Sequence, residues 1–316
     1  MPRSLLPLLL SVVLCACRSV GGPEPLRIGV LTDCQYADKE DGGVRKYRAS
    51  PRKLAEALER FEELDPEWLV HLGDFIDEGW ESYEPLLDLC RASELRSHHV
   101  LGNHDFAVED RFKEQVPARL GMPARYFTWR TKGWRFLALD GNDLSLHGHP
   151  EGSVRQRQSL AYYERVEPRP PVYCGAVGAT QMEWLEAELS AADALGEASI
   201  LLCHFPLLGA DGHRLWNAEE VLAVLDRHPS VVACLSGHNH AGEHAVREGV
   251  HHLSFRGMVD TDENAFALVE LDAGRLRVQG FGREVDRDLV LRCGGVCPGQ
   301  GSAARTAQQP AGTAGP

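Results

Sequence analysis

Basic residues are in short supply. The 316-residue chain carries 33 lysines and arginines against 46 aspartates and glutamates, a formal net charge of -13 at pH 7. Proteins that hold nucleic acid carry basic stripes, so this balance excludes an extended polyanion-binding face and leaves a cleft of acidic residues free to attract cations. The chain also lacks a hydrophobic run long enough to span a bilayer, which takes ~20 apolar residues; the N-terminal run, residues 5–14, is too short. Its nine cysteines include no CxxC pair, which excludes a zinc site of that kind. Apolar residues make up 43% and charged residues 25%, ordinary for a globular domain, and the length suffices for a large core.

The N-terminus reads as a targeting segment. Arg3 precedes the short apolar run and small residues follow it, the pattern of a secretion signal. Leu14-Cys15-Ala16-Cys17 resembles a bacterial lipobox, in which the lipidated cysteine becomes the first mature residue. The expected organisation is therefore a signal peptide with lipobox over residues 1–17, a Gly/Pro-rich tether over 18–25, one domain over 26–297 and a disordered Pro/Gly/Ala/Gln-rich tail over 298–316. Such a protein is exported and held at a membrane surface through its lipid; secretion without an anchor is the alternative. Cys34, Cys203 and Cys234 fall in or beside apolar strands and read as core thiols, whereas Cys293 and Cys297 could pair in an oxidising compartment.

Strand and helix signals alternate along the first half. A strand over residues 26–32 is followed by a polar loop with Arg45, Lys46 and Arg48 as candidate phosphate contacts. Ser50-Pro51 then starts a helix, with Ser as N-cap and Leu54, Ala57, Leu58 and Phe61 on its apolar face. A strand ending before Asp74, a helix over residues 83–92 and a strand ending before Asn103 complete a repeated βα pattern. Residues 126–130 and 134–139 form a hairpin about Thr131-Lys132-Gly133. The polar stretch from Asp140 to Pro171 is too long for a plain connection and reads as a lid or a disordered loop. Thr180 caps a helix bearing Met182, Leu185 and Leu189, another helix covers 217–227, and short alternating runs after His244 suggest antiparallel strands completing a second sheet.

Five of the apolar runs end alike. Each delivers Asp, Asn or His just past its carboxyl end, where open α/β sheets collect ligands: Asp33 with Gln35, Asp74 with Asp77, Asn103 with His104, His204, and His238 with His240. Turn chemistry does not explain five such endings on one edge. Asp33, Gln35, Asp74, Asn103, His204, His238 and His240 are too many ligands for one zinc and too rich in oxygen. They suit two divalent cations sharing a carboxylate, with Asp74 as the bridge, an arrangement fitted to displacement at phosphorus.

In order, Asp33-x-Gln35, Gly73-Asp74-x-x-Asp77, Gly102-Asn103-His104-Asp105, His204 and Gly237-His238-x-His240 resemble the five motifs of the calcineurin-like metallophosphoesterases. The resemblance implies an α/β fold of two packed mixed β-sheets flanked by helices, a four-layer sandwich. It assigns Asp33, Gln35, Asp74 and His240 to one metal, and Asp74, Asn103, His204 and His238 to the other. His104 would protonate the leaving oxygen or stabilise its charge, oriented by Asp77. Gln35 replaces the histidine usual in the family; its amide oxygen shifts that position towards Mn²⁺ or Mg²⁺. Together with Asp33-Cys34-Gln35-Tyr36-Ala37-Asp38 and Gly175-Ala176-Val177-Gly178 before Gln181-Met182-Glu183-Trp184-Leu185, this departure resembles the manganese-dependent ADP-ribose/CDP-alcohol diphosphatases. That resemblance implies two divalent ions, manganese first with magnesium, iron or zinc as alternatives, and a small nucleotide substrate rather than nucleic acid. A phosphomonoesterase, another phosphodiesterase, or a secreted binding protein without turnover are the alternatives.

Overall fold

The computed structural model describes residues 24–209, 212–272 and 274–292. The signal peptide and lipobox, most of the tether, the Cys293–Cys297 pair and the tail lie outside the described residues. No helix among the described residues is long and apolar enough to cross a membrane.

Two six-stranded sheets face each other. In the first, Leu26–Leu31, Trp68–His71 and Ser97–His99 run parallel, while Ala265–Asp272, Arg275–Gly282 and Arg287–Val290 continue the sheet antiparallel from the side of Leu26–Leu31. In the second, Trp134–Ala138, Ala198–Leu202, Val231–Ser236 and Val250–Ser254 run parallel between two antiparallel edge strands, Phe127–Thr131 and Glu243–Arg247. Strand alternation sorts the apolar residues by face. Ile28, Val30 and Val70 meet Phe136, Ile200 and Leu202 between the sheets. Leu31 and Leu69 turn outward to Leu54, Leu58 and Phe61 of the helix Ser50–Leu64, and Leu137 and Leu201 turn outward to Leu185, Leu189 and Leu222 of the helices Ala179–Leu195 and Ala218–Leu225. These three apolar clusters separate four layers. Along one side the sheets are joined through His98, which stacks on Trp129 at 4.1 Å between ring centroids.

Several expectations are corrected. The runs after His244 do not all complete the second sheet: Ala265–Asp272 and Arg275–Gly282 extend the first, and Val250–Ser254 is parallel to its neighbour. Alternation identifies a strand but not its partner, which is a long-range choice. Ser50 does not cap its helix. A 3-10 turn, Tyr47–Ala49, runs straight into the helix, and the Ser50 hydroxyl donates to the Cys34 carbonyl. Thr180 likewise lies inside a helix whose N-cap is Gly178. The stretch from Asp140 to Pro171 is not a disordered loop: it holds the strand Leu144–Ser145, paired with Gly175–Ala176, and the helix Val154–Tyr163, which Ser153 caps by accepting the Gln156 amide at 3.1 Å. The hairpin forms as expected, with Lys132 (φ 47°) and Gly133 (φ 83°) both left-handed, the conformation that matches strand twist.

Candidate metal centre

The ligand-bearing loops leave not one sheet edge but two facing ones. Asp33, Gln35, Asp74 and Asn103 follow strands of the first sheet; His204, His238 and His240 follow strands of the second. The sequence pattern marks strand ends and is silent on sheet membership. Both carboxyl edges nevertheless meet, because the loops are bonded across the gap: the Met258 amide donates to Thr32 O at 3.0 Å, the Val259 amide to Asp33 O at 2.9 Å and the His238 amide to Asp33 Oδ2 at 3.2 Å.

The backbone at this junction is strained. Asp33 (φ 52°), Gln35 (43°), Asp74 (57°) and His238 (65°) account for four of the nine non-glycine residues with positive φ among those described. Such conformations cost ~1–3 kcal/mol each and concentrate where function over-determines them. Close approach adds a second constraint: a Cβ on Gly102 would sit 2.1 Å from Asp74 Oδ1.

Asp74 lies at the centre, 1% exposed. Its Oδ1 accepts the His104 amide at 2.8 Å; its Oδ2 lies 3.1 Å from Gln35 Nε2 and 3.3 Å from His204 Nε2. His238 Nδ1 is 3.2 Å from His204 Nε2, and the donor atoms of Asp74, His204 and His238 fall within 4.8 Å of one another. On the other side of Asp74, His240 Nε2 lies 3.3 Å from both Asp33 Oδ1 and Gln35 Nε2. Two half-cradles thus share one carboxylate.

The donor set fits divalent ions. Gln35 Oε1 and Asn103 Oδ1 are buried and accept no hydrogen bond, and Asp33 Oδ1 faces only the His240 ring at 3.3 Å. Leaving a buried oxygen unpaired costs ~1–3 kcal/mol, so two such oxygens beside a buried carboxylate point to a missing positive partner. Charge gives the same answer. Burial works to raise the Asp74 pKa, but His204 and His104 hold it well below the usual carboxylate range. Burial opposes a proton on His204, yet Asp74 raises it to about 9; burial opposes one on His240, yet Asp33 and Asp260 raise it to about 10. Those protons supply the positive charge that the carboxylates demand, and a divalent cation can take their place.

Around the cradle stand residues that sequence reasoning missed. Asp105 accepts the amides of Asp74 (3.0 Å), Phe75 (2.9 Å) and Gly102 (2.8 Å), tying two ligand loops together; burial and Asp74 push its own pKa up to about 7. Asp260 faces His240 Nδ1 at 2.9 Å, and the Leu72 carbonyl faces His204 Nδ1 at 2.8 Å. Lys53, fully buried on the helix Ser50–Leu64, donates to the carbonyls of Met258, Asp260 and Thr261 and so braces the segment bearing Asp260. Only Asp105, inside the Gly-Asn-His-Asp motif, had a local signal. The others lie 20 to 208 residues from their partners.

His104 Nδ1 lies 3.0 Å from the Asp77 carbonyl and 3.3 Å from Asp77 Oδ1. Asp77 orients the ring, as much through its main chain as through its carboxylate, whose Oδ2 is engaged by Lys39. Two of the candidate phosphate contacts are already paired with carboxylates. Lys46 pairs with Asp41, and Arg48 with Asp38 and Glu40; Arg45 bridges to Asp260 through its backbone. Phe205 is fully buried against His204 and His238, Tyr36 packs on the helix-side core, and His99 packs on His71 and Phe75. Cys34, Cys203 and Cys234 are buried free thiols.

Comparison with known proteins matches this architecture. The sequence profile described as Calcineurin-like phosphoesterase covers residues 26–242. A manganese-dependent ADP-ribose/CDP-alcohol diphosphatase from Bos taurus is 30% identical, the alignment covering 84% of this chain and 94% of the relative; its counterpart from Xenopus laevis is 28% identical over 84% and 90%. The crystal structure of a dimetal phosphatase from Danio rerio superposes with a TM-score of 0.77 at 26% identity, covering 85% of this chain and all of that one.

Proposed function

The chain belongs to the calcineurin-like phosphoesterase family and is a metal-dependent hydrolase; from that premise we propose that it cleaves the phosphoanhydride of a nucleoside diphosphate linked to a sugar or alcohol, of the ADP-ribose or CDP-alcohol kind. The names of the curated relatives support this substrate class. The observation that carries the reading is the set of buried oxygens on Asp33, Gln35 and Asn103 around the shared carboxylate of Asp74, those of Gln35 and Asn103 without any hydrogen-bond partner.

Asp33, Gln35, Asp74 and His240 would hold one divalent ion, and Asp74, Asn103, His204 and His238 a second, manganese in preference to magnesium, iron or zinc. Bound there, the ions would neutralise the phosphoryl oxygens and acidify the attacking water. The chain's own residues do the rest. Strained loops, locked by Asp105, fix the donors before substrate arrives, so little reorganisation remains at the reaction. The half-buried His104 is held through Nδ1 by Asp77, which leaves Nε2 to donate a proton to the departing oxygen. A nucleoside monophosphate and a phosphorylated sugar or alcohol would be the products.

The test is hydrolysis by the purified chain with Mn²⁺ of ADP-ribose, CDP-choline, CDP-glycerol, a mononucleotide and bis(p-nitrophenyl) phosphate. Release of nucleoside monophosphate from the first three is expected. Preference for the mononucleotide would overturn the substrate and keep the enzyme class, and Mn²⁺ binding without any turnover would favour a binding protein. We also propose export and lipid attachment at Cys17, which mass analysis of the mature N-terminus against Cys17→Ser in a bacterial host would test.

A further inference from the structure

The three candidate histidines are not held alike. His204 and His240 each turn Nδ1 to an oxygen, the Leu72 carbonyl at 2.8 Å and the Asp260 carboxylate at 2.9 Å. His238 is reversed: Nδ1 faces His204 Nε2 at 3.2 Å, and Nε2 lies 3.6 Å from the sulfur of Cys174. Among the described residues no oxygen or other nitrogen lies within hydrogen-bond reach of that Nε2. We propose that Cys174 is a positioning residue of the metal centre: its sulfur accepts the Nε2–H of His238 and keeps the Nδ1 lone pair turned towards Asp74 and His204.

A neutral imidazole has one N–H, and the bond made by one ring nitrogen decides which nitrogen is free to ligate. The Cys174 sulfur is placed for this task. Cys174 is fully buried, its amide donates to the Pro171 carbonyl at 3.2 Å, and the neighbouring backbone is tied down by the Trp216 amide donating to Gly175 O at 2.8 Å. The thiol hydrogen has its own acceptor, the Gly212 carbonyl at 3.8 Å, which leaves the sulfur lone pairs for His238. Phe205, Tyr173 and His213 wall the imidazole at centroid distances of 4.8, 5.6 and 5.4 Å, so the ring has little room to turn once the sulfur contact is made. Sulfur is a weaker acceptor than oxygen, and the His238 half of the cradle is accordingly the more loosely held.

The inference rests on His238 being a ligand, and the test separates the two. Mn²⁺ affinity is measured by titration calorimetry on the full chain for wild type, Cys174→Ala, Cys174→Ser and His238→Ala, with ¹⁵N NMR of the histidine rings in the metal-free protein. Cys174→Ala should weaken Mn²⁺ binding ~10-fold or more, Cys174→Ser should restore it, and the His238 signals should report a single Nε2–H tautomer that becomes mixed only in the alanine variant. Wild-type affinity in Cys174→Ala alongside weakened binding in His238→Ala overturns the role of Cys174, as does equal loss in the alanine and serine variants. Unchanged affinity in His238→Ala overturns the ligand assignment and this inference with it.

Discussion

The carboxylate of Asp105 receives the backbone amide of Asp74 at 3.0 Å, so one buried acid fixes the peptide that carries another. The same carboxylate takes the amides of Phe75 and Gly102, which bear on the adjoining loop. Replacing Asp105 by Ala leaves three buried N–H groups unpaired and should cost ~3 kcal/mol or more of stability. Urea unfolding of the variant measures this; a loss below ~1 kcal/mol would show that the loops hold their shape without it.

Asp74 serves both half-cradles. Asp74→Asn keeps shape and hydrogen bonding but removes the charge, and should slow turnover by about a thousandfold, the several kcal/mol that such a centre supplies. Steady-state kinetics with matched far-ultraviolet circular dichroism would check it, and a near-normal rate in a folded variant would refute the reading of Asp74 as the shared ligand.

Asp260 touches no candidate ion position yet faces His240 Nδ1. Asp260→Ala should raise the Mn²⁺ concentration needed for half-maximal activity ~10- to 100-fold. Lys53→Met removes the donor to three carbonyls of the same segment and should act in the same direction, with a fall in melting temperature as well. Wild-type Mn²⁺ dependence in both variants would leave this brace without a function.

If His104 protonates the leaving oxygen, its loss matters in proportion to the basicity of that oxygen. His104→Gln should lower kcat/KM ~10²- to 10⁴-fold for an alkyl or unactivated phenyl phosphodiester, whose leaving oxygen is strongly basic, and far less for a p-nitrophenyl ester. Equal losses on both would point to charge stabilisation or positioning rather than proton donation.

Three packed histidines, two buried and one half-buried, predict sensitivity to acid. Burial pushes His98, His99 and His252 down to about 4, with Arg96, His98 and Arg247 respectively adding to the effect. Unfolded, each gains a proton as pH falls through about 6.5; folded, each resists until about 4. The unfolded state binds more protons in that window, so stability present above pH 6.5 is lost as pH drops towards 4. Melting temperatures of wild type and the His98→Phe/His252→Leu double variant between pH 7 and 5, in chelator to remove the metal contribution, should show a shallower slope for the double variant. Parallel slopes would assign the acid sensitivity elsewhere.

The amino-acid sequence by itself determined the layered α/β class, the strand ends that carry Asp33, Asp74, Asn103, His204 and His238, and the chemistry those residue types could perform. It could do so because strand periodicity and the residues just past a strand are local, read within a few positions. Tertiary structure alone decided that the ligands come from two sheets rather than one, that the late strands extend the first sheet, and which nitrogen of each histidine faces the cradle. Those outcomes depend on contacts such as Asp260 with His240, Lys53 with Met258 and Cys174 with His238, which join groups 20, 205 and 64 positions apart. No local pattern specifies such a partner; only burial of the apolar faces brings the groups together, and the buried polar atoms then pair with whatever lies within reach.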